Sequence, residues 1–173
     1  MQRIILLFLL VVIAITIPFT IINPAWAMVS PQMAALPFFE GVFAGQTPNN
    51  LGLHEGKLTA CPASPNCVVS QDADTTHLIS PLSYQGDTET AKQKLLQVLS
   101  VVPRTKIVEQ ADNYIRAESA SRLLGFVDDV EFYFPTSEKV IHIRSASRLG
   151  ESDLGVNRRR LEQIRLALQD LNT

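Results

Sequence analysis

The sequence predicts an α+β fold, a single domain in which an antiparallel β-sheet carries two main helices packed on one side. Apolar residues recur at helical spacing in two stretches of the chain. Other segments alternate apolar and polar side chains and are joined in pairs by short turns, which is typical of β-hairpins. Hairpins with helices grouped apart from them indicate this fold class. The 173 residues are enough for one domain and short for two.

The first 27 residues have the pattern of a secretory signal peptide. Arg3 is followed by an apolar run from Ile4 to Ile17, and Ala25-Trp26-Ala27 matches the small-x-small pattern that signal peptidase cleaves. We therefore expect cleavage after Ala27. An uncleaved N-terminal anchor is the alternative, because Ile4 to Ile22 is about long enough to cross a bilayer. In either case we expect the domain to be exported across a membrane into an oxidising compartment.

Residues 28–57 are predicted to form a linker or arm, and residues 58–173 a single α+β domain. The arm holds three prolines and four glycines, a composition typical of irregular chain. Its apolar residues, at 36–39 and 42–43, indicate that it docks on something. We expect it to lie on the domain, with a membrane or partner contact as the alternative.

Two helices are predicted. The first covers Thr88 to Val102, with Asp87 or Thr88 as its N-cap and Pro103 ending it. The second follows Ser152 or Asp153, either of which is a suitable N-cap. Helical spacing gives each a buried stripe, formed by Ala91, Leu95, Leu99 and Val102 in the first and by Leu161, Ile164, Leu168 and Leu171 in the second.

Six segments are predicted as strands, at 67–70, 77–84, 106–110, 114–119, 126–134 and 140–147. In the last hairpin, pairing the apolar faces places Phe132 beside Ile143 and Asp128 near Ser147. The same register sets Glu131 opposite Arg144, an opposite-charge cross-strand pair. A slip of one residue would turn the isoleucines away from the core, so this register is favoured.

Asp128 would then lie at the polar end of an apolar face, where a carboxylate needs a partner. The segment from Arg144 to Arg160 can supply one. Its residues Arg158 to Arg160 fall in the first turns of the last helix, where each cation opposes the helix dipole by about 0.3–1 kcal/mol. Either internal carboxylates such as Asp128, Asp129 and Asp153 neutralise these arginines and Arg148, which we favour, or the segment holds an anionic ligand.

The ligand-binding interpretation has nine candidate residues in and around this segment. They are Asp128, Arg144, Ser145, Ser147, Arg148, Asp153, Asn157, Arg158 and Arg159. No catalytic residue, metal ligand or cofactor is predicted.

The two cysteines, Cys61 and Cys67, are too few for a disulfide scaffold, but the exported setting favours a disulfide between them. Their spacing to His54 and His77 does not match a zinc site. The net charge of −2 supplies no basic field for nucleic acid.

A hydrolase would use Asp128 and His142 as its acid and base. The sequence contains neither a Gly-x-Ser-x-Gly elbow nor a glycine-rich phosphate loop. The favoured register also places the two side chains on opposite faces of the sheet, which argues against this version of an enzyme.

Several motifs together carry a resemblance to a known family. They are Asn50-Leu-Gly52, the segment Cys61-Pro-Ala-Ser-Pro-Asn-Cys67-Val68, Pro103-Arg104-Thr105, the segment Phe126 to Phe132, and Arg144-Ser-Ala-Ser-Arg148 continuing through Ser152 to Arg158. Over about residues 48–168 the chain resembles the exported bacterial and plastid family catalogued as domain of unknown function 1499. The resemblance brings no established activity, cofactor or catalytic residue.

The expected function is a non-catalytic binding or assembly factor of the periplasm or thylakoid lumen. It would recognise an anionic small molecule or an acidic protein surface through Arg144, Arg148, Arg158 and Arg159. Nucleic acid is not an expected partner, and membrane contact is expected only through the N-terminal segment if that segment is uncleaved. A hydrolase-type enzyme with an Asp/Arg-centred site is the alternative.

Overall fold

A computed structural model describes residues 42–171, so the leader and the first part of the arm, residues 28–41, lie outside the described residues. The α+β fold class is confirmed. Among these residues neither helix is long and apolar enough to cross a membrane. The elements in chain order are β1 (Leu53–His54), β2 (Lys57–Leu58), β3 (Cys67–Val69), β4 (Leu82–Ser83), α1 (Thr88–Val101), β5 (Thr105–Gln110), β6 (Tyr114–Ala120), β7 (Val127–Tyr133), β8 (Val140–Ser147) and α2 (Val156–Asp170).

The main sheet is antiparallel and has six strands in the order β3-β8-β7-β6-β5, with β4 pairing beside β3 on β8. Strand β8 is the longest, and its outer edge is shared by the two short strands. The predicted hairpin register is confirmed, since Phe132 pairs with Ile143 and Glu131 with Arg144. The alternation of large apolar side chains therefore specified which face of this hairpin enters the core.

Both helices pack on one face of the sheet and enclose the main core. Val130, Phe132 and Ile143 supply its centre and are completely buried. Leu95 of α1 and Leu161 of α2 belong to the same core and pack on them from the helix side. Each such side chain stabilises the fold by about 1.5–3 kcal/mol through burial.

The ends of α1 agree closely with the sequence. Asp87 is the N-cap, and its side chain accepts a hydrogen bond from the Thr90 backbone N–H at 2.8 Å. The helix ends one residue earlier than predicted, because Val102 has extended backbone dihedrals and precedes Pro103. An extended residue is what steric contact with a following proline favours.

The start of α2 differs from the prediction. The N-cap is neither Ser152 nor Asp153 but Gly155, whose φ of 77° is in the left-handed region that glycine adopts readily. Asp153 instead caps the helix from two residues upstream, since its carboxylate accepts from the backbone N–H groups of Gly155 at 2.9 Å and Asn157 at 2.7 Å.

Two further expectations are corrected. Leu171 does not belong to the buried stripe of α2, because it follows the last helical residue and is exposed. The predicted strand at 77–84 shortens to Leu82–Ser83. Its first part turns instead, because the Asp74 side chain accepts hydrogen bonds from the backbone N–H groups of Thr76 and His77.

The described part of the arm lies on the sheet face opposite the helices. The hairpin β1–β2 places Leu53 and Leu58 in a second apolar cluster with Val69 and Tyr114. Within the described part of the arm, Gly52 and Leu53 therefore contact this face of the sheet.

The predicted disulfide between Cys61 and Cys67 is confirmed. The loop that it closes is contacted by the buried side chain of His77. The His77 ring contacts the Asp74 carboxylate through Nδ1 at 2.7 Å and the Ser64 carbonyl through Nε2 at 3.2 Å. The hydrogen bond with Asp74 raises the pKa of His77. Only the protonated ring donates hydrogen bonds through both nitrogens. Protonation of His77 therefore links Ser64 of the disulfide loop to Asp74 of the following turn.

We predict that the His77→Gln substitution lowers the free energy of unfolding more at pH 5.5 than at pH 8.5. The folded pKa is raised, so the contribution of the protonated ring is complete below the unfolded value of about 6.5 and is lost as pH rises through the folded value. Urea denaturation at the two pH values measures this difference. In an Asp74→Asn background the difference should shrink, and an equal loss at both pH values would contradict the account.

Candidate functional site

The sheet face under the arm has a buried carboxylate at its centre. Glu131 is 0% exposed. It accepts hydrogen bonds of 2.8 Å from Arg144 Nη1, from the Tyr114 hydroxyl and from the Gly52 backbone N–H. Burial, with the adjacent Glu131 charge, raises the pKa of Tyr114, so its hydroxyl stays a donor. Arg144 therefore serves the sheet and the arm through this carboxylate, while its buried Nε has no hydrogen-bond partner among the described residues.

A second network of ion pairs lies beside Glu131 on the same face. Arg148 donates through Nε and Nη2 to the two carboxylate oxygens of Asp129, at 2.8 and 2.9 Å, and through Nη2 to Glu118. Arg116 also donates to Asp129, at 3.1 Å. Asp129 holds the pKa of Arg148 above its usual range. Carboxylates thus neutralise Arg148 internally.

The helix face holds a third polar cluster, around Asp128. Asp128 forms an ion pair with Arg160, whose Nη2 lies 2.5 Å from the Asp128 carboxylate. The other end of this guanidinium donates to Asn157 Oδ1 at 2.8 Å and to Ser145 Oγ at 3.2 Å. Asn157 also donates to Ser147 Oγ. Four of the candidate residues are therefore brought together, by an arginine that was not among the candidates.

The remaining candidates lie at the start of α2. Arg158 donates to the backbone carbonyls of Leu78 and Thr76, at 2.7 and 2.8 Å, and so ties the helix to the segment before β4. Asp153 caps the helix, as described above. Arg159 is exposed and donates to the backbone carbonyl of Leu154 at 2.8 Å.

The nine candidate residues consequently do not converge on one site. The reason is the pleat of β8, which turns successive side chains to opposite faces. Arg144 lies under the arm together with Arg148, whereas Ser145 and Ser147 lie under the helices. The same alternation separates Asp128 from His142, which contacts Ser70 Oγ and whose pKa burial lowers.

A surface cavity of about 370 Å³ is lined by four arginines, of which Arg160 is paired with Asp128. Arg104 comes from the turn before β5, Arg122 from the loop after β6, and Arg159 and Arg160 from the first turns of α2. Among the described residues, no aspartate or glutamate lines this cavity. We call it the basic cavity.

Among the described residues, three of the four arginines of the basic cavity have no carboxylate partner. Arg104 donates to a backbone carbonyl, that of Ala120, as Arg159 does to Leu154. Within residues 42–171 no carboxylate forms an ion pair with Arg104, Arg122 or Arg159. Guanidinium groups in this state can bind phosphate, sulfate or carboxylate through paired N–H donors.

The ligand-binding candidates did not include Arg104, Arg122 or Arg160. Arg160 was considered in the sequence as one of the arginines that internal carboxylates such as Asp128 would neutralise, and it does pair with Asp128. Arg160 had a usable signal, because it lies three residues after Asn157 and so shares its helix face. Arg104 and Arg122 lie in separate turns far from α2 in sequence, and only the packing of those turns brings them to it. Across residues 42–171, no group of three or more His, Cys, Asp or Glu side chains is placed to hold a metal ion.

We predict that adjacent arginines of α2 differ sharply in their effect on stability. Arg160→Ala should lower the free energy of unfolding by about 3–5 kcal/mol, because Asp128 would remain buried without its partner. Arg159→Ala, its matched control, should change stability by less than about 0.5 kcal/mol because Arg159 is exposed. Urea denaturation of both variants provides the measurement, and similar losses in the two would contradict the assignment of Arg160.

Comparison with known proteins adds the family but no activity. No curated protein matches the chain significantly. The family model described as "Protein of unknown function (DUF1499)" matches residues 57–168, which include the disulfide loop, the whole main sheet and nearly all of α2. The motifs behind the resemblance from Cys61 onward all fall within this range. The chain therefore belongs to the DUF1499 family.

Proposed function

We propose that this protein is an exported, non-catalytic binding domain whose basic cavity holds an anionic ligand. The observation that carries the proposal is the lining of the cavity, whose described residues include four arginines and no carboxylate. The arginines on the arm side of the sheet, Arg116, Arg144 and Arg148, are each paired with at least one carboxylate. Arg104, Arg122 and Arg159 have no carboxylate partner among the described residues, and a bound anion would supply the missing negative charge at the cavity.

The position of these arginines costs stability when no anion is present. A cation in the first turn of a helix opposes the helix dipole by about 0.3–1 kcal/mol. Arg159 is in that turn, and Arg104 and Arg122 add like charge to the same cavity. A bound anion reverses the sign of these interactions, because it attracts the guanidinium groups and is favoured near a helix N-terminus.

The backbone at Arg104 supports the same interpretation. Its φ is 56°, in the left-handed region that non-glycine residues rarely adopt. Residues held in such conformations cost about 1–3 kcal/mol and cluster at functional sites. An arginine at a position suited to glycine is explained if its charge is needed at the cavity.

We further propose that the domain works in the periplasm or thylakoid lumen. The signal-like pattern of residues 1–27 and the Cys61–Cys67 disulfide both support an oxidising compartment beyond a membrane.

A thermal-shift titration of the chain expressed for export tests the anion site, with sulfate, phosphate, sugar phosphates and small carboxylates as probes. A ligand at a hundred times its Kd stabilises the folded state by about 2.7 kcal/mol, a shift of several degrees. We expect Arg159→Gln to remove the shift and Arg158→Gln, its matched control, to keep it. The proposal fails if no probe shifts the folded protein, or if only Arg158→Gln removes the response.

Arg104→Gly separates binding from stability at the same site. The substitution removes one cavity charge and places glycine where φ is positive, so stability should stay within about 1 kcal/mol of the parent. Affinity for the best anion from the titration should nevertheless fall. Unchanged affinity, measured by calorimetry on the folded variant, would remove Arg104 from the site.

A further inference from the structure

The basic cavity lies at one end of the sheet, where β6 and β8 end and β7 begins. Residues 121–126 and 148–156 form this end, and we call these two segments the loop end. They contain five of the ten large apolar side chains that are exposed in the described chain. These five are Leu123, Leu124, Leu149, Leu154 and Val156.

Two of these apolar residues are not explained by the fold. Leu154 is 84% exposed and Leu123 is 71% exposed, so neither stabilises the core. Leu154 also has a φ of 52°, a left-handed conformation in which glycine or asparagine would be less strained. Large apolar side chains grouped on a surface mark a site of contact with a partner or a membrane.

The charged residues at the loop end indicate what kind of partner the surface suits. The exposed Arg104, Arg122 and Arg159 lie at the same end, and Glu151 is the exposed carboxylate of the two segments. The Asp153 carboxylate is occupied by backbone N–H groups. Exposed leucines beside unneutralised arginines suit the interface of an acidic bilayer, which takes up apolar side chains and attracts cations.

The first described residues of the chain lie against the same end. The Phe43 ring packs against the Phe126 ring of the loop end, with centroids 5.2 Å apart. Gly45 passes so close that a Cβ there would lie 2.9 Å from Arg148 Cβ. The loop end is therefore packed from the side of residues 43–45, while Leu123 and Leu154 stay exposed.

We propose that the loop end docks on the surface of a bilayer that contains acidic phospholipids. The exposed leucines enter the headgroup region, and the basic cavity binds lipid phosphates. The inference rests on the proposed function, because it names the lipid headgroup as the anion that the cavity holds. It also assigns membrane contact to the folded domain, beyond the contact expected of the N-terminal segment.

A tryptophan reporter in the full chain tests this directly. Trp26 is the sole tryptophan, so Trp26→Phe provides a silent background in which Leu154→Trp reports from the loop end. With vesicles of phosphatidylcholine and phosphatidylglycerol that carry brominated acyl chains, we expect blue-shifted emission and strong quenching. Leu166→Trp is the matched control, since it is also exposed but lies ten residues along α2, about 15 Å from its start. It should show neither effect.

Arginine variants and lipid composition identify the source of binding. Each arginine near an acidic surface contributes roughly five-fold in affinity, so Arg104→Gln, Arg122→Gln and Arg159→Gln combined should need far more lipid for half-maximal quenching. Brominated vesicles of pure phosphatidylcholine should quench the tryptophan emission of Leu154→Trp only weakly.

The outcomes separate this inference from the function on which it rests. A thermal shift with sulfate but no quenching of Leu154→Trp would overturn membrane docking and leave the anion site intact. Equal quenching at Leu154→Trp and Leu166→Trp, or quenching that ignores lipid charge, would also overturn it. Absence of both the thermal shift and the quenching would overturn both proposals.

Discussion

The completely buried carboxylate of Glu131 organises one side of this protein. It joins three separate parts of the chain, since its donors are Tyr114 of β6, Arg144 of β8 and the Gly52 backbone of the arm. A charge without water is tolerated only when hydrogen bonds and an opposite charge replace its hydration. Because Arg144 supplies the charge, it is committed to the fold, and the arm is fixed over the sheet.

The alternation of side chains along β8 also determines on which face of the sheet the neighbouring polar residues lie. Arg148 follows Arg144 to the arm side and pairs with Asp129, whereas the serines between them turn toward α2 and the Asp128–Arg160 pair. Arg159, which has no carboxylate partner among the described residues, lies at the basic cavity. Within residues 144–160 the pleat of the strand and the periodicity of the helix therefore separate Arg159 from the arginines that are paired internally, whereas Arg104 and Arg122 reach the cavity from distant turns.

Much of the fold could be predicted from the sequence. The register of β7 and β8 followed from the isoleucine and phenylalanine alternation and the Glu131–Arg144 pair, and Asp87 was one of the two residues predicted as the cap of α1. The cavity could not be predicted in the same way. Arg104 and Arg122 reach it from turns whose placement depends on helix and sheet packing. Local patterns determine which face a residue takes but not which distant turn it meets.

The central claim is that the arginines divide into internally neutralised and ligand-directed groups. An NMR titration of the protein with sulfate, following the arginine side-chain Nε–H signals, tests it most directly. The account predicts that the signals of Arg104, Arg122 and Arg159 move with sulfate concentration while those of Arg144 and Arg148 stay in place. Movement at Arg144 and Arg148, with the cavity signals unchanged, would contradict it.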